Sequence, residues 1–504
     1  MRLLAPAVLA ALAFAITKGA AAEDAPVVPT TPSLATPSSH FRLGFERVRF
    51  GDDAKRVGLV GTSYLIDVAE LPGVAVGPAV YGAISGGRGG FFALGGEAAW
   101  RHRLIGPVGT EIGVFAGGGG GGGAPAGSGF MLRPHADLVW DLGGAAIGVS
   151  VSRVSFSGGR IGSTQLGLVL NANGDFRFVP AERIGEPAVG GGRAGFGFDR
   201  VQFVGGVYRT PAGKTLVDGT NLPRTISIVG MRAEQSWGGH AFWGLEANRA
   251  GRGGVGGYAE FLGTAGAETE VVRDALTVGG RVGLGMAGGG GVSTGGGFLA
   301  KAGAYAIVRL SNDLGLALEG DYARAPNGNF RALQASAALV WALDGPERAG
   351  RPAQPSRTDF SVGAERFRAP RTNAREGGGE RSLSAVVLKL DRYLSPNFYV
   401  SGRASSAAAG DASGYAGAAL GAGWMQPLGA RMHVGAELLA GAAGGGGVDG
   451  RGLLVQPRVY AGVQVTPSTL LRAGVAHVKA LDGRLNSNVA DVSLVFTYGV
   501  SAGR

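Results

Sequence analysis

Alternation of apolar and polar side chains along short segments is the feature that most constrains the fold of this chain. In residues 130–140, Leu132 and Leu138 fall on one face, and Arg133 and Asp137 fall on the other. A period of two is typical of a β-strand with one apolar and one polar face, because successive strand side chains point to opposite sides. Similar segments follow one another along most of the chain. We therefore predict an all-β protein.

The chain also repeats itself. A tract at residues 45–50 (FERVRF) recurs at 198–203 (FDRVQF) and, more loosely, at 364–368 (AERFR). Glycine runs recur in the same order, at residues 117–123, 288–291 and 444–447. Self-similarity at a regular spacing indicates repeated structural units. We count three units of roughly 160 residues, each with about eight alternating segments, which predicts about 24 strands in three eight-stranded repeats.

The N-terminus has the features of a secretory signal. Arg2, an apolar stretch at residues 3–16 and alanines at 20–22 are typical of a cleaved signal peptide. A Pro- and Thr-rich segment follows it, and Pro-, Gly- and Arg-rich joints separate the repeats. We predict a signal peptide at 1–22, a flexible lead-in at 23–40, repeats at 41–178, 193–343 and 359–500, and joints at 179–192 and 344–358.

Turn lengths and tryptophans distinguish the two ends of the strands. Turns after even-numbered segments are tight, whereas those after odd-numbered segments are often longer and rich in glycine. All six tryptophans fall on apolar faces at the tight-turn end: Trp100, Trp140, Trp237, Trp243, Trp341 and Trp424. This pattern resembles the bacterial outer-membrane β-barrel (porin-like) superfamily, in which short turns face the periplasm and aromatic girdles mark the membrane interfaces.

The resemblance implies an antiparallel up-and-down transmembrane β-barrel, integral to the outer membrane of a Gram-negative bacterium. It also implies two kinds of partner. One is the outer-membrane lipids, including lipopolysaccharide. The other is the barrel-assembly machinery, which would recognise the last strand at residues 488–500. The tail at 501–504 departs from the superfamily pattern, in which the chain usually ends on the aromatic residue.

Two architectures share a count of about 24 strands. We expect one continuous 24-stranded barrel with a wide lumen, because many inward positions are small: Gly95, Gly113, Gly148, Ser150, Ser152, Gly283, Gly285 and Ala317. Only the third repeat ends with the Phe496/Tyr498 pair, as a single assembly event would require. The alternative is three tandem eight-stranded barrels filled by side chains. Inward charges that could pair, and joints longer than the other turns, favour that alternative.

Inward charged residues are the candidate functional residues of a lumen, since rings of charge set the selectivity of pores. We predict that the pore is lined by Glu97, Glu111, Arg133, His135, Asp137, Lys301, Arg309, Glu437, Arg458 and Arg472. Their basic bias suggests a preference for anions. We expect an outer-membrane pore, or an export channel for solutes or polymer with a periplasmic partner. The alternative is a non-conducting structural or lipopolysaccharide-interacting barrel protein.

Three repeated arginines are candidates for contact with lipid. By the alternation, Arg47, Arg200 and Arg366 point outward near the outer end of the first strand of each repeat. Arginine is tolerated near the membrane interface and binds phosphate well. We predict that these residues contact anionic lipid head groups. The alternative is that they pair with acidic neighbours at the rim.

The sequence gives no sign of an enzyme. The six histidines show no metal-ligand spacing, and the chain has no cysteine. His135 and Asp137 could form an acid–base pair on one face, although two hydrated lumen side chains are the simpler interpretation. The glycine runs lack the Lys-Ser/Thr of a phosphate-binding loop. We expect flexible outer hairpins there, or a mobile gate, and no catalytic residue, metal, cofactor or nucleic-acid partner.

Overall fold

The fold was analysed in a computed structural model, which describes residues 35–51, 55–186, 188–189, 193–343, 352–370, 380–449 and 452–503. The predicted signal peptide and most of the lead-in lie outside these residues. Strands make up most of the described residues, and the only helix among them is a short 3-10 helix at Ala181–Arg183. None of the helical residues described forms a segment long and apolar enough to cross a membrane.

Twenty-four strands form three closed antiparallel barrels. Barrel 1 contains β1 (Ser38–Arg49), β2 (Arg56–Asp67), β3 (Val74–Ser85), β4 (Phe92–Ile105), β5 (Val108–Gly120), β6 (Phe130–Asp141), β7 (Ala145–Phe156) and β8 (Gly162–Asp175). A two-residue strand, β9 (Ala188–Val189), precedes barrel 2. Barrel 2 contains β10 (Arg200–Arg209), β11 (Thr225–Trp237), β12 (Ala241–Arg252), β13 (Ala259–Val272), β14 (Leu276–Gly288), β15 (Phe298–Arg309), β16 (Leu314–Arg324) and β17 (Arg331–Ala342). Barrel 3 contains β18 (Pro352–Ala369), β19 (Arg381–Tyr393), β20 (Phe398–Ala409), β21 (Ala416–Pro427), β22 (Met432–Gly444), β23 (Gly452–Thr466), β24 (Thr469–Ala480) and β25 (Asn486–Gly503).

The closing pairs show that each repeat is a separate barrel. Strand β1 pairs with β8, with Leu43 opposite Leu170. Strand β10 pairs with β17, and β18 pairs with both β19 and β25. The prediction of an all-β fold in three eight-stranded repeats is confirmed. The expectation of one continuous 24-stranded barrel is wrong, and the alternative of three tandem barrels is the observed architecture.

Small inward residues accommodate large neighbours, which explains why the barrels close at eight strands. A methyl group on Gly113 would lie 2.5 Å from Nε2 of His135. Methyl groups on Gly61 and Gly423 would overlap the rings of Tyr81 and Tyr399. An eight-stranded barrel is just wide enough for side chains to fill it, so small and large residues must alternate. The glycines therefore do not indicate an open lumen.

Each barrel interior has three layers. Apolar clusters fill the loop end of the barrels; in barrel 1 this cluster includes Phe50, Phe91 and Phe115. Charged side chains occupy the middle. Smaller apolar clusters lie towards the turn end, such as Leu65 with Ala75 and Ala99 in barrel 1. This order leaves packed side chains along the axis of each barrel.

The barrels contact each other through their glycine-rich loops. In each contact, the loop after the third strand of one barrel lies against the loop after the fifth strand of the next. The backbone pairs in close contact include Gly90 with Gly289, Gly257 with Gly445, and Gly414 with Gly121. Barrel 1 contacts barrel 2, barrel 2 contacts barrel 3, and barrel 3 contacts barrel 1, so the three form a ring. Glycine in these loops permits close packing of backbones. The flexible hairpins or mobile gate expected there stay a prediction.

The outer surface of the barrels is apolar. On barrel 1 the exposed side chains of β6, β7 and β8 include Leu132, Leu138, Ile147, Val149, Val151, Leu166, Leu168 and Leu170. Five tryptophans are also exposed: Trp100, Trp140, Trp237, Trp243 and Trp424. These five and the remaining tryptophan, Trp341, all lie towards the turn ends of their strands, as the sequence predicted. An apolar band with aromatic residues at its edge is the surface that a bilayer requires.

The strand bounds differ from the predicted repeat bounds at two places. Strand β1 begins at Ser38, inside the predicted lead-in of 23–40. Strand β18 begins at Pro352, inside the predicted joint of 344–358. Residues 344–351 of that joint lie outside the described residues. The first joint contains the 3-10 helix and β9, which pairs with the start of β18.

Candidate functional site

The charged layer of barrel 1 is a paired network. Arg42 donates to Asp137 through Nε at 3.0 Å and Nη2 at 2.7 Å. Arg133 donates to Glu46 in the same two-pronged way, at 3.0 and 2.9 Å. His135 lies 3.2 Å from Asp137. All five residues are at most 5% exposed. The predicted His135–Asp137 pair therefore belongs to a dry, closed network and is not a pair of hydrated lumen side chains.

Barrel 2 contains a similar network with different residues. Arg232 bonds Glu246 at 2.8 Å and Glu319 at 2.9 Å, and Arg281 bonds Glu319 at 2.5 Å. Lys301 reaches Glu246 at 2.5 Å. Each cation here contacts a carboxylate, which is the arrangement that makes a buried charge tolerable.

Barrel 3 repeats the pattern around Arg472. Its guanidinium donates to Asp359 at 2.9 Å and to Asp391 at 3.0 Å. Lys389 joins Asp391 to Glu437, at 2.6 and 2.5 Å. Two cavities within this barrel have volumes of about 20 and 30 Å³. Such cavities hold about one water molecule each.

The ten residues predicted to line a pore do not share one lumen. Nine are buried inside the three barrels: Glu97, Glu111, Arg133, His135 and Asp137 in barrel 1, Lys301 in barrel 2, and Glu437, Arg458 and Arg472 in barrel 3. Arg309 lies instead at the turn-end rim, with a side chain that is 46% exposed and bonded to Asp274 at 2.7 Å. Within each repeat the last strand pairs with the first strand, so each barrel is closed and encloses its own set of these residues.

The three arginines predicted to contact lipid do not occupy equivalent positions. Arg47 and Arg366 are exposed on outward faces, near the loop ends of β1 and β18. Arg200 is the first residue of β10, at the opposite end, and points inward to bond Glu268 at 2.8 and 2.7 Å. The outward orientation predicted for Arg200 is wrong, because the tract at 198–203 lies at the turn end of its barrel.

A large apolar chamber lies between barrels 1 and 3, outside both barrel interiors. Its volume is about 1910 Å³. Barrel 1 contributes the outward face of β2–β6, including Ile66, Val76, Val114, Ala116 and Leu132. Barrel 3 contributes the outward face of β18, β19 and β25, including Phe360, Val362, Ala364, Val386, Leu388 and Phe496. The facing surfaces are those that would otherwise contact lipid.

The chamber extends along most of the barrel height. At the turn end it reaches Glu70 and Ser468, and at the loop end it reaches Ser157 and Ala409. The first joint contributes Pro180, Ala181 and Glu182 to the lining at the turn end. Beside it lies an aromatic cluster of Phe176, Phe178, Phe196 and Tyr498. Sequence reasoning did not identify this chamber, since alternation shows which residues point outward but not which outward faces meet.

Comparisons with known proteins identify no family. No protein-family model matches the chain, and no curated protein matches it. Solved structures do match over most of its length. Pseudomonas aeruginosa OccK11 (OpdR) matches with 10% identity and a TM-score of 0.22, over 92% of this chain and 96% of that one. The siderophore receptor PirA from Acinetobacter baumannii matches with 9% identity and a TM-score of 0.28, over 92% and 81%. TM-scores this low mean that the architectures do not superpose, so these matches carry no functional argument.

The identification rests on the structure of the chain itself. The strands close into barrels, the outward faces are apolar, and the tryptophans mark one rim. Closed barrels leave no unpaired strand edge in lipid, which is the condition for a β-structure to cross a bilayer. The chain is therefore a transmembrane β-barrel protein.

Proposed function

We propose that this protein transports molecules with long apolar portions in the outer membrane, along the chamber between barrels 1 and 3. The continuity of the chamber from Ser468 to Ala409 is the observation that supports this function. Passage through a barrel would instead require displacement of an apolar cluster and a paired charge network. In the interior of a barrel, where the polarity is low, breaking one buried ion pair costs on the order of 3–5 kcal/mol.

An anionic lipid is the molecule that fits this chamber. Ala364 lines it, and Arg366 lies two residues further along the same outward face of β18. The rise of a strand places the two about 6.6 Å apart. A lipid with its acyl chains against Ala364 could therefore place a phosphate beside the exposed guanidinium, which bonds phosphate with two donors. Arg366 thus keeps the lipopolysaccharide contact predicted for it, and Arg47 keeps the same prediction for lipid outside the chamber.

The predicted preference for anions concerns passage through the barrel interiors, not passage along the chamber. Of the cations behind this preference, only Arg309 lies outside a barrel interior, at the turn-end rim. The buried cations each have a carboxylate partner already: Arg133, Lys301, Arg458 and Arg472. We expect single-channel conductance in a planar bilayer to be far below that of a wide channel. The preference stays a prediction for any residual current and is tested by the reversal potential. A periplasmic export partner and the barrel-assembly machinery likewise stay predictions.

The test is lipid movement across reconstituted vesicles. Residues 23–504 would be refolded into liposomes that carry a fluorescent lipid in both leaflets, and an impermeant reductant would quench the outer leaflet. We expect quenching to proceed beyond half of the signal with the wild-type protein. The double variant Ala116→Trp/Val386→Trp narrows the chamber from both walls and should slow this second phase at least tenfold.

The matched control places the same bulk on a face away from the chamber. Val151 and Leu166 are outward, 49% and 73% exposed, and absent from the chamber lining. The double variant Val151→Trp/Leu166→Trp should transport as the wild type does. Quenching that stops at half with wild-type protein would contradict the proposal, as would equal slowing by both double variants.

A further inference from the structure

We propose that barrel 1 binds a divalent transition-metal ion, Zn²⁺ by ligand type, between His40, Glu97, Glu111 and His135. One ligand atom from each of Glu97, Glu111 and His135 lies within 4.8 Å of the other two. The fourth residue, His40, places Nε2 3.1 Å from Oε2 of Glu111. The four side chains come from β1, β4, β5 and β6, so no spacing in the sequence brings them together.

Unpartnered polar atoms are the second observation that points to a ligand. Neither carboxylate oxygen of Glu111 and neither ring nitrogen of His40 has a hydrogen-bond partner. Glu111 is 1% exposed and His40 is fully buried. Arg42 approaches Glu111 at 3.4 Å, but the geometry does not make a hydrogen bond, and its guanidinium is bonded to Asp137. Glu111 thus has His40 and Arg42 as ionic neighbours but accepts no hydrogen bond, so its buried charge is poorly compensated and a cation at this place would stabilise it.

The charge of the network points to a cation. The buried charged layer of barrel 1 contains the carboxylates of Glu46, Glu97, Glu111 and Asp137, against the guanidinium groups of Arg42 and Arg133. Four negative and two positive groups leave an excess of two negative charges when both histidines are neutral. A divalent cation balances this excess. Among the described residues, barrel 1 is the only barrel with two buried histidines.

The ligand types favour zinc among the divalent ions. Two imidazole nitrogens and two carboxylate oxygens suit Zn²⁺, whereas Mg²⁺ and Ca²⁺ prefer oxygen alone. Ligand atoms on tetrahedral zinc stand about 3.4 Å apart, so closure from 4.8 Å needs side-chain shifts of about 1 Å. His40 is the third residue of β1 and Glu111 the fourth of β5, which places the site in the turn-end half of the barrel. The ion would enter from the periplasmic end, past only the small cluster of Leu65, Ala75 and Ala99.

Metal titration of the full mature chain tests the site. Residues 23–504, refolded in detergent and treated with a chelator, would be titrated with Zn²⁺ alone and, in parallel, with Mg²⁺. We expect one bound Zn²⁺ per chain and no binding of Mg²⁺. Substitution of Co²⁺ should give the visible absorption bands of a tetrahedral site, a signal that a purely structural pair of histidine and glutamate does not produce.

Two variants and a control locate the ion. Glu111→Gln and His40→Asn should each weaken Zn²⁺ binding more than about tenfold, the lower bound seen for loss of groups that only orient a ligand. Asp321→Asn removes a buried carboxylate from barrel 2 and should leave binding unchanged. Heat-modifiable mobility on gels reports whether each variant is folded. Absence of binding by the folded wild-type chain overturns the proposal, and so does binding that both folded variants retain.

Discussion

Close packing of the glycine loops predicts a specific cost for a single methyl group. Gly87 and Gly90 belong to the same loop after β3 and have similar backbone angles, with φ of 80° and 87°. A methyl group on Gly87 would meet nothing within 4 Å, whereas one on Gly90 would overlap the backbone of Gly289 in barrel 2. The two substitutions therefore differ mainly in the contact between barrels.

The expected losses of unfolding free energy follow from a comparison of Gly87→Ala with Gly90→Ala. Alanine at a positive φ costs about 1–2 kcal/mol at either position. Forcing a methyl group into packed surroundings adds about 1–3 kcal/mol, and only Gly90→Ala incurs it. Gly90→Ala should thus lower the free energy of unfolding by about 1–3 kcal/mol more than Gly87→Ala.

Urea unfolding in lipid vesicles, followed by tryptophan fluorescence, measures the difference. The midpoint and slope are compared for wild type and the two variants, because a change of slope would indicate that the barrels no longer unfold together. Equal destabilisation by both substitutions would refute the claim that this loop packs against barrel 2.

Two further predictions concern the barrel interior and exterior. Arg472→Met should destabilise the protein by about 1.5–3 kcal/mol, because Asp359 and Asp391 lose their shared cation but keep Arg357 and Lys389 as partners. Unfolding in urea measures the loss, and a loss below about 1 kcal/mol would contradict the paired network. Val151→Arg places a charge on the outward face in the middle of β7 and should cost about 2–4 kcal/mol in a bilayer. Leu142→Arg, in an exposed turn, is its control and should cost at most about 1 kcal/mol; equal costs would mean that β7 does not face lipid.

The strands and their faces could be predicted from sequence because alternation is local. Residues 130–140 show it directly, and the structure places Arg133 inward and Leu132 outward accordingly. The tryptophan rim could be predicted for the same reason, since each tryptophan combines a face with a position along its strand. Arg200 shows the limit of this reasoning. Its tract resembles that of Arg47, but a similar short sequence does not fix which end of the barrel it occupies.

Closure and cavities depend on contacts between distant residues, which alternation does not reveal. The sequence predicted that Gly113 lines an open lumen, whereas His135 of the neighbouring strand fills the space beside it. The ligand set around Glu111 joins four strands, and the chamber joins Ala116 of barrel 1 to Val386 of barrel 3. These features depend on which strands pair and on which barrels contact each other. No single segment of the sequence determines either of these.

Cross-linking of the first strand tests the central claim of three separate barrels most directly. The chain has no cysteine, so introduced pairs report without background. Leu43 and Leu170 are paired across β1 and β8 and both point outward, so the double variant Leu43→Cys/Leu170→Cys should form a disulfide in the folded protein. In a continuous 24-stranded barrel β1 would instead pair with β25, and Leu43→Cys would cross-link to an outward position there, such as Ala490, Val492 or Leu494. Three closed barrels predict the first disulfide and none with β25, and the reverse result would contradict the account.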